Sequence, residues 1–280
     1  MATPGTSPLA SRIPFDTRTV ALLAAMYALF FGNAVLRFLA PAPWPVHVLL
    51  GALAIHLAFT VWHEAVHRSA SRIGWLNDAI GVLSALPYMA PFYLQKWFHL
   101  QHHALLNRRD DPNFIYADGP YWRMPLRYLR VLRYAKARMR DDPRSRRERL
   151  VDHLPLAVVG GTFAAALWTG AVLDLVLLWF VPFVISKLVM DWYINWLPHA
   201  GLPPDRYRGT RIVDVRWLTP LVLGHNYHAV HHLWPNLPWH RYKAVFKERE
   251  AQLRERGVPI EASAFRWSSH ELARRDSVPG

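Results

Sequence analysis

The chain has 280 residues, 52% of them hydrophobic and 13% aromatic, so it can bury a core; disorder and small cross-linked scaffolds are excluded. It contains no cysteine, which rules out disulfides, thiolate metal sites, an iron–sulfur cluster and a thiol nucleophile, and leaves nitrogen or oxygen ligands for any metal. Thirty-three Lys and Arg against 20 Asp and Glu give a formal charge of +13, which invites a nucleic-acid partner until the placement of the charges is considered.

Residues 1–19 precede the first apolar stretch, Val20–Ala40. At ~1.5 Å per residue this stretch makes about 30 Å of helix, the hydrocarbon thickness of a bilayer. It carries one charge, Arg37. After Pro41-Ala42-Pro43 a second stretch, Pro45–Trp62, is uncharged and runs into His63. Gly74–Leu94 is apolar but interrupted by Asn77, Asp78, Pro87 and Pro91, and reads as a re-entrant or interfacial segment. Tyr121–Arg149 is basic with interleaved Leu, Tyr, Val and Met, and reads as an amphipathic helix on anionic headgroups in preference to a nucleic-acid arm. The third and fourth stretches are Leu154–Gly170 and Val172–Met190. From 241 the chain is charged and helical at its start.

The segments 63–153 and 187–280 hold 16 and 14 Lys and Arg, and with Arg12 and Arg18 they account for 32 of the 33. The loops 41–45 and 169–173 hold none. Four spans therefore put every basic segment on one side, the positive-inside pattern for a multi-pass membrane protein with both termini cytoplasmic. That topology explains the charge without nucleic acid. No cleaved signal peptide is expected at the first span. The expected fold class is all-α: four transmembrane helices with a helical cytosolic cap. The organisation is an N-terminal cytosolic segment 1–19, a membrane domain 20–245 and a C-terminal cytosolic tail 246–280.

Nine of the 15 histidines fall in four short groups on the predicted cytoplasmic side. His63 and His67 form HEAVH, an i, i+4 pair on one helix face. His99, His102 and His103 form HLQHH, His228, His231 and His232 repeat that spacing in HAVHH, and His199 stands in WLPH. These are more imidazoles than one tetrahedral zinc uses and suit two metals with open positions. Neutral imidazoles and open positions for O2 favour iron, since redox-inert zinc has no use for nine nitrogens. His47, His56, His153, His240 and His270 read singly as buried polar residues with hydrogen-bond partners. HEAVH also fits H-E-x-x-H, the zinc-protease pattern with Glu64 as general base, but that reading leaves HLQHH and HAVHH without a role.

The three boxes, in order and on the expected side, resemble the signature of the membrane fatty acid desaturase and hydroxylase superfamily. HEAVHRSA, HLQHHALLNRRDDPN, WLPH and NYHAVHHLWPNLPWHRY together are most similar to the cyanobacterial-type β-carotene hydroxylases of that superfamily, over residues 60–245. The resemblance implies a di-iron centre at the membrane surface, held by His63, His67, His99, His102, His103, His228, His231 and His232, with His199 as a ninth ligand. It implies for Asn195 a role through water, and for Glu64, in place of the commoner Asp, the orienting of a ligand imidazole. His225 stands where hydroxylase-type relatives often have Gln and is left outside the ligand set. Asp110, Asp111 and Asn113 read either as partners for ligand imidazoles or as turn residues.

By the resemblance the reaction is O2-dependent hydroxylation of the β-ionone ring of a carotenoid, β-carotene becoming β-cryptoxanthin and zeaxanthin. Trp62, Trp97, Trp192, Trp196 and Trp234 lie beside the boxes, where they would pack on a polyene or anchor the protein at the membrane interface. Electrons must come from outside, since the chain has no cysteine, no nucleotide-binding glycine fingerprint and no HPGG-type cytochrome extension. A ferredoxin with its reductase is implied, and membrane lipids are the surrounding partner. The alternative substrate is a fatty-acyl chain, desaturated or hydroxylated; carotenoid ketolation, a membrane zinc metalloprotease and a non-catalytic metal-storing protein are further alternatives.

Overall fold

The structure, a computed structural model, describes residues 14–40, 42–130, 139 and 142–264. The four apolar stretches are helices: α1 (Thr17–Leu39), α2 (Trp44–Val66), then, after α3 (Gly74–Ala85) and α4 (Phe92–Leu105), α5 (Leu154–Thr169) and α6 (Val172–Trp196). Each is long and apolar enough to cross a membrane, α5 together with the short helix Arg146–Val151 that leads into it. Their outer faces carry exposed Phe31, Phe38, Leu49, Leu156, Phe163, Trp168 and Phe180, as expected where lipid tails take the place of water.

Local chemistry sets the ends of these helices. Asp16 caps α1 by accepting from the backbone N–H groups of Arg18 (2.9 Å) and Thr19 (3.2 Å). Pro43 stands at the N-cap of α2, and Gly170, at φ 72°, ends α5 in the left-handed conformation that glycine adopts without penalty. In the apolar layer Asn33 and His47 exchange two hydrogen bonds of 2.8 Å and tie α1 to α2, where no water competes for them. Arg37, the one charge of the first span, pairs with Asp174 at 2.9 Å and lies over the Trp44 ring. This cluster ties α1, α2 and α6 together at the end away from the histidine boxes.

Two spans run further than their apolar stretches. α2 continues past Trp62 to Val66, and α6 past Met190 to Trp196, the last six residues as a π-helix. Both extensions carry polar side chains toward the histidines. The interrupted stretch Gly74–Leu94 is not one segment: α3 ends at Ala85, the chain turns through Pro87 and Pro91, and α4 begins at Phe92. Asn77 ties α3 to the end of α2 by donating to Ala65 O at 2.7 Å. Asp152 caps α4 from a distance, accepting from the Tyr93 and Leu94 backbone N–H groups at 2.8 Å each. In the amphipathic stretch residues 124–130 are helical; 131–138, 140 and 141 lie outside the described residues, as does His270.

Beyond the spans lie α7 (His228–Leu233) and α8 (Tyr242–Glu255). The expectation of an all-α chain needs one amendment: β1 (Ile212–Val213) and β2 (Ile260–Glu261) pair in parallel, Ile212 opposite Ile260. The pairing satisfies backbone groups that no helix serves, Ile212 N–H bonding Pro259 O at 2.9 Å and Asp214 N–H bonding Glu261 O at 2.8 Å. It closes a second core of Tyr227, Val230, Leu237, Tyr242, Phe246 and Leu253 over the histidine end. α8 runs unbroken across residue 245 into that core.

The larger core lies between α2, α3 and α6 around Ile55, Phe59, Trp62, Met190, Tyr193 and Ile194. α2 and α6 approach closely because position 51 is glycine: a Cβ there would stand 2.8 Å from Pro182 Cγ and 2.9 Å from the Leu178 carbonyl oxygen. Neither neighbour is the free end of a flexible chain, so Gly51→Leu should destabilise the protein by about 1–3 kcal/mol through overpacking. A lowered thermal unfolding midpoint in detergent is the expected result, and an unchanged midpoint would show that the contact is not a constraint.

Candidate metal centre

Helix geometry distributes the boxes. On α2 the i, i+4 pair His63 and His67 faces one way, His67 following the last helical residue. On α4 and α7 the i, i+3, i+4 spacing fans the rings over a wider arc, so these helices straddle two positions. One ring nitrogen from each of His63, His67, His99 and His231 lies within 4.8 Å of the others, and the same holds for His102, His199, His228 and His232. His103 joins His231 and His232 in a third set between the two groups. All nine histidines singled out in the sequence are thus brought together by segments from residue 63 to residue 232.

The residues fit a metal. Nitrogens on opposite sides of one ion at ~2.1 Å stand about 4.2 Å apart, close to the spread within each group. The inward-facing atoms converge on each other: Nε2 of His67 and Nε2 of His99 are 2.8 Å apart, and Nε2 of His103 is 3.1 Å from His99 Nε2 and 3.0 Å from His231 Nε2. Both ring nitrogens of His63, which is fully buried, find no hydrogen-bond partner among the described residues. Burial holds His67, His99, His103, His199, His228, His231 and His232 well below the ordinary imidazole range, and repulsion between neighbouring rings adds to it. Neutral rings with lone pairs turned inward are what a metal requires.

Carboxylates back the groups from outside. Asp111 accepts from His102 Nδ1 at 2.9 Å and from the backbone N–H groups of Asn107 (2.9 Å) and Asn113 (2.7 Å), so it is both turn residue and imidazole partner. Asp110 is exposed. Glu64 is buried: Oε2 accepts from Ser69 Oγ at 2.7 Å and from the Trp239 backbone N–H at 3.1 Å, and Oε1 stands 3.8 Å from His63 Nδ1. Tyr242 Oη lies 3.1 Å from His231 Nδ1 and 3.5 Å from Glu64 Oε1. Asn107, at φ 58°, donates to the carbonyls of Leu202 (3.3 Å), Pro203 (3.1 Å) and Gly209 (2.6 Å), and so pins the loop after His199 onto the end of α4. Nothing in local spacing marked Asn107, Ser69 or Tyr242; their roles arise from chain segments that meet in space.

The remaining sequence candidates divide. Asn195 donates to Asp191 at 2.7 Å and accepts from Asn113 at 3.1 Å, so its amide is engaged in the wall beside the centre. His225 belongs to neither group; its ring packs 5.0 Å from that of His63, and its Nε2 lies 3.4 Å from Thr60 Oγ1. His47, His56 and His240 have partners in Asn33 (2.8 Å), Tyr193 (3.2 Å) and Asp16 (2.7 Å), whereas His153 is exposed where α5 begins.

A cavity of about 440 Å³ reaches the centre at His99. Phe59, Trp62, Tyr88, Phe98, Phe183 and Ile194 make its wall largely apolar. Of the five tryptophans beside the boxes, Trp62 lines it, and Trp196 instead donates to Gly119 O at 2.7 Å. A polar stripe, Lys187, Asp191 and Asn195, runs along one side. The buried Asp191 carboxylate is compensated by Lys187, by the Tyr128 hydroxyl and by Asn195.

The shifted imidazoles fix a sign for the pH response of the metal-free protein. They stay neutral in the folded chain but take up protons near ~6.5 once unfolded, so below that pH the unfolded state binds more protons. Stability is therefore lost as pH falls. Thermal unfolding of chelator-treated protein should show a clearly lower midpoint at about pH 5.5 than at about pH 8; an equal midpoint would mean that the rings take up protons as readily in the folded chain as in the unfolded one.

Comparison with known proteins agrees with this arrangement. A family model described as fatty acid desaturase matches residues 38–264, a stretch that contains all nine histidines. The sn-1 oleoyl-lipid 12-desaturase of Picosynechococcus sp. is 26% identical over 266 residues, covering 81% of this chain and 73% of that protein. The dihydrorhizobitoxine desaturase of Bradyrhizobium elkanii is 27% identical over 241 residues, covering 72% and 66%. The sn-1 acyl-lipid omega-3 desaturase (ferredoxin) of Synechocystis sp. is 26% identical over 275 residues, covering 84% and 76%. With four helices fit to span a membrane and the histidine groups at one end of them, the chain belongs to the fatty acid desaturase family.

Proposed function

We propose that the protein is a membrane oxidoreductase that oxidises unactivated C–H bonds of a lipid acyl chain, introducing a double bond at the expense of O2 and two external electrons. The observation that carries this reading is the convergence of nine imidazoles, seven of them buried and two half-buried, beside a largely apolar cavity that reaches His99. Two iron ions, held by His63, His67, His99 and His231 and by His102, His199, His228 and His232 with His103 between them, would supply O2 activation and hydrogen abstraction. The chain's own work is placement. Phe59, Trp62, Tyr88 and Phe98 exclude water and hold a long apolar substrate with one carbon against the His99 end of the cavity. Glu64 and Asp111 hold imidazoles in orientation.

Desaturation removes two hydrogens from the chain and reduces O2 to two waters, with two more electrons and two protons supplied from outside. Without cysteine the chain cannot house an iron–sulfur cluster, and two of the relatives carry ferredoxin in their names. A ferredoxin is therefore the proposed donor, docking on the side that holds the basic segments, which is also the proposed cytoplasmic side for both termini. A zinc metalloprotease reading is set aside, because Glu64 is engaged by Ser69, Trp239 and Tyr242, and the other boxes converge with HEAVH on the same centre.

Carotenoid ring hydroxylation is the second reading, favoured by the HHLWPNLPWHRY stretch and by the aromatic rings that line the cavity. The relatives named above act on acyl lipids or dihydrorhizobitoxine by their names, which supports the acyl-chain reading over the ring.

The test is a lipid and pigment extract, resolved by mass, from β-carotene-accumulating bacteria that express the protein with a ferredoxin and its reductase. Acyl chains that have lost two hydrogens are the expected product, absent from His102→Ala and His228→Ala proteins that still insert in the membrane. New oxygenated carotenoids with unchanged acyl chains would replace the first reading by the second, and unchanged lipids and pigments would overturn both.

A further inference from the structure

Glu64 and Tyr242 are 178 residues apart in the chain and meet behind one of the two histidine groups. A buried carboxylate costs several kcal/mol unless its oxygens are bonded. Glu64, 1% exposed, meets that cost with Ser69, the Trp239 backbone and the Tyr242 hydroxyl. Tyr242 is itself fully buried, and its hydroxyl stands between the carboxylate and His231 Nδ1. The turn Trp239–Arg241 and the start of α8 deliver both the Trp239 donor and the Tyr242 phenol to the same carboxylate.

The directions of these bonds follow from the atoms. His231 turns Nε2 inward, 3.0 Å from His103 Nε2, and Nδ1 outward, 3.1 Å from Tyr242 Oη. A neutral ring that offers the Nε2 lone pair to a metal carries its proton on Nδ1, so Nδ1–H donates to the phenol oxygen. The phenol in turn donates its O–H to Glu64. A carboxylate at the far end of this chain makes the imidazole more basic at Nε2 and holds its plane. The same carboxylate lies 3.8 Å from His63 Nδ1, so one acid borders two rings of one group, drawn from α2 and α7. The other group is backed differently, by Asp111 bonded directly to His102.

We propose that Tyr242 is a positioning residue which, through Glu64, fixes His231 as an Nε2 ligand and sets the affinity of one metal position, that of His63, His67, His99 and His231, independently of the other. The inference rests on the reading that both groups hold metal, and it makes the two positions chemically unequal.

The experiment uses the full-length protein in detergent, loaded anaerobically with isotopically enriched ferrous iron and challenged with a graded chelator, with iron content and the Mössbauer spectrum as readouts. Tyr242→Phe keeps the ring and removes one hydroxyl. One of the two irons should then be lost at about 10–100-fold lower chelator concentration, with a change in that iron's signal alone. Glu64→Gln should weaken the same iron, Asp111→Asn the other, and Tyr27→Phe, whose hydroxyl bonds Leu83 O at 2.8 Å, neither.

Release of both irons from Tyr242→Phe at the wild-type chelator concentration would overturn the proposal, as would Tyr242→Phe and Asp111→Asn affecting the same iron. If Tyr242→Phe fails to fold, Glu64→Gln with wild-type retention of both irons would overturn it equally. Wild-type protein that holds two irons yet leaves every lipid and pigment unchanged would sink the functional reading and leave this one standing; wild-type protein that takes up no iron would sink both.

Discussion

Nine imidazoles held within a few ångströms of one another, seven of them buried and two half-buried, are the constraint around which the rest of this fold is arranged. Neutral rings lose their hydrogen bonds to water on burial, and the cost is offset only where each nitrogen meets a donor, an acceptor or a metal. The structure supplies outward partners for several rings, Asp111 for His102 and Tyr242 for His231, and turns the remaining nitrogens toward each other. Such an interior would gain stability from a bound ion, and metal binding would then be linked to folding.

The spacing constraint explains features that hydropathy alone leaves unexplained. A helix ends where its hydrogen bonds end, not where its apolar residues do, so α2 and α6 run past Trp62 and Met190 and carry polar side chains to the centre. In α6 the extension is a π-helix over Asp191–Trp196. An extra residue in the turn re-aims side chains and is found frequently at functional sites. Here Asp191 and Asn195 line the cavity and bond to Tyr128 and Asn113, which fastens the segment after α4 to the last span.

What could be read from the sequence was whatever depends on local periodicity. The four spans follow from length and charge placement, and eight of the histidines from i, i+3 and i+4 spacing on helices, because 3.6 residues per turn decides which side chains share a face; His199 follows from the resemblance alone. How the boxes divide between two groups was not legible. That His99 joins His63 while His102 joins His228 depends on how α4 is rotated against α2 and α7, and remote contacts set that rotation: Asp152 on the α4 N-terminus and Asn107 on three carbonyls of a loop some 95 to 102 residues away. Tyr242 lay inside a stretch already singled out for its resemblance, yet nothing in its neighbours ties it to Glu64. The short β1–β2 pair escaped for the same reason, since two residues carry no period.

The cavity gives this division a functional direction. Among the nine histidines it touches His99, a member of the group that Glu64 and Tyr242 support, while the group backed by Asp111 lies toward the loop held by Asn107. Under the proposed reading a substrate drawn into the cavity would therefore meet the centre from one side. The wall there is apolar and aromatic at Phe59, Trp62 and Tyr88, and polar groups stand in line along α6 at i, i+4 and i+8 in Lys187, Asp191 and Asn195. A long apolar chain has no use for that stripe, and the stripe offers it no competition, because Asp191 is already bonded to Lys187, Tyr128 and Asn195. Under the proposed reading the substrate's position is left to shape: where the rigid aromatic walls stop it would determine which carbon lies against His99, and so which bond is oxidised.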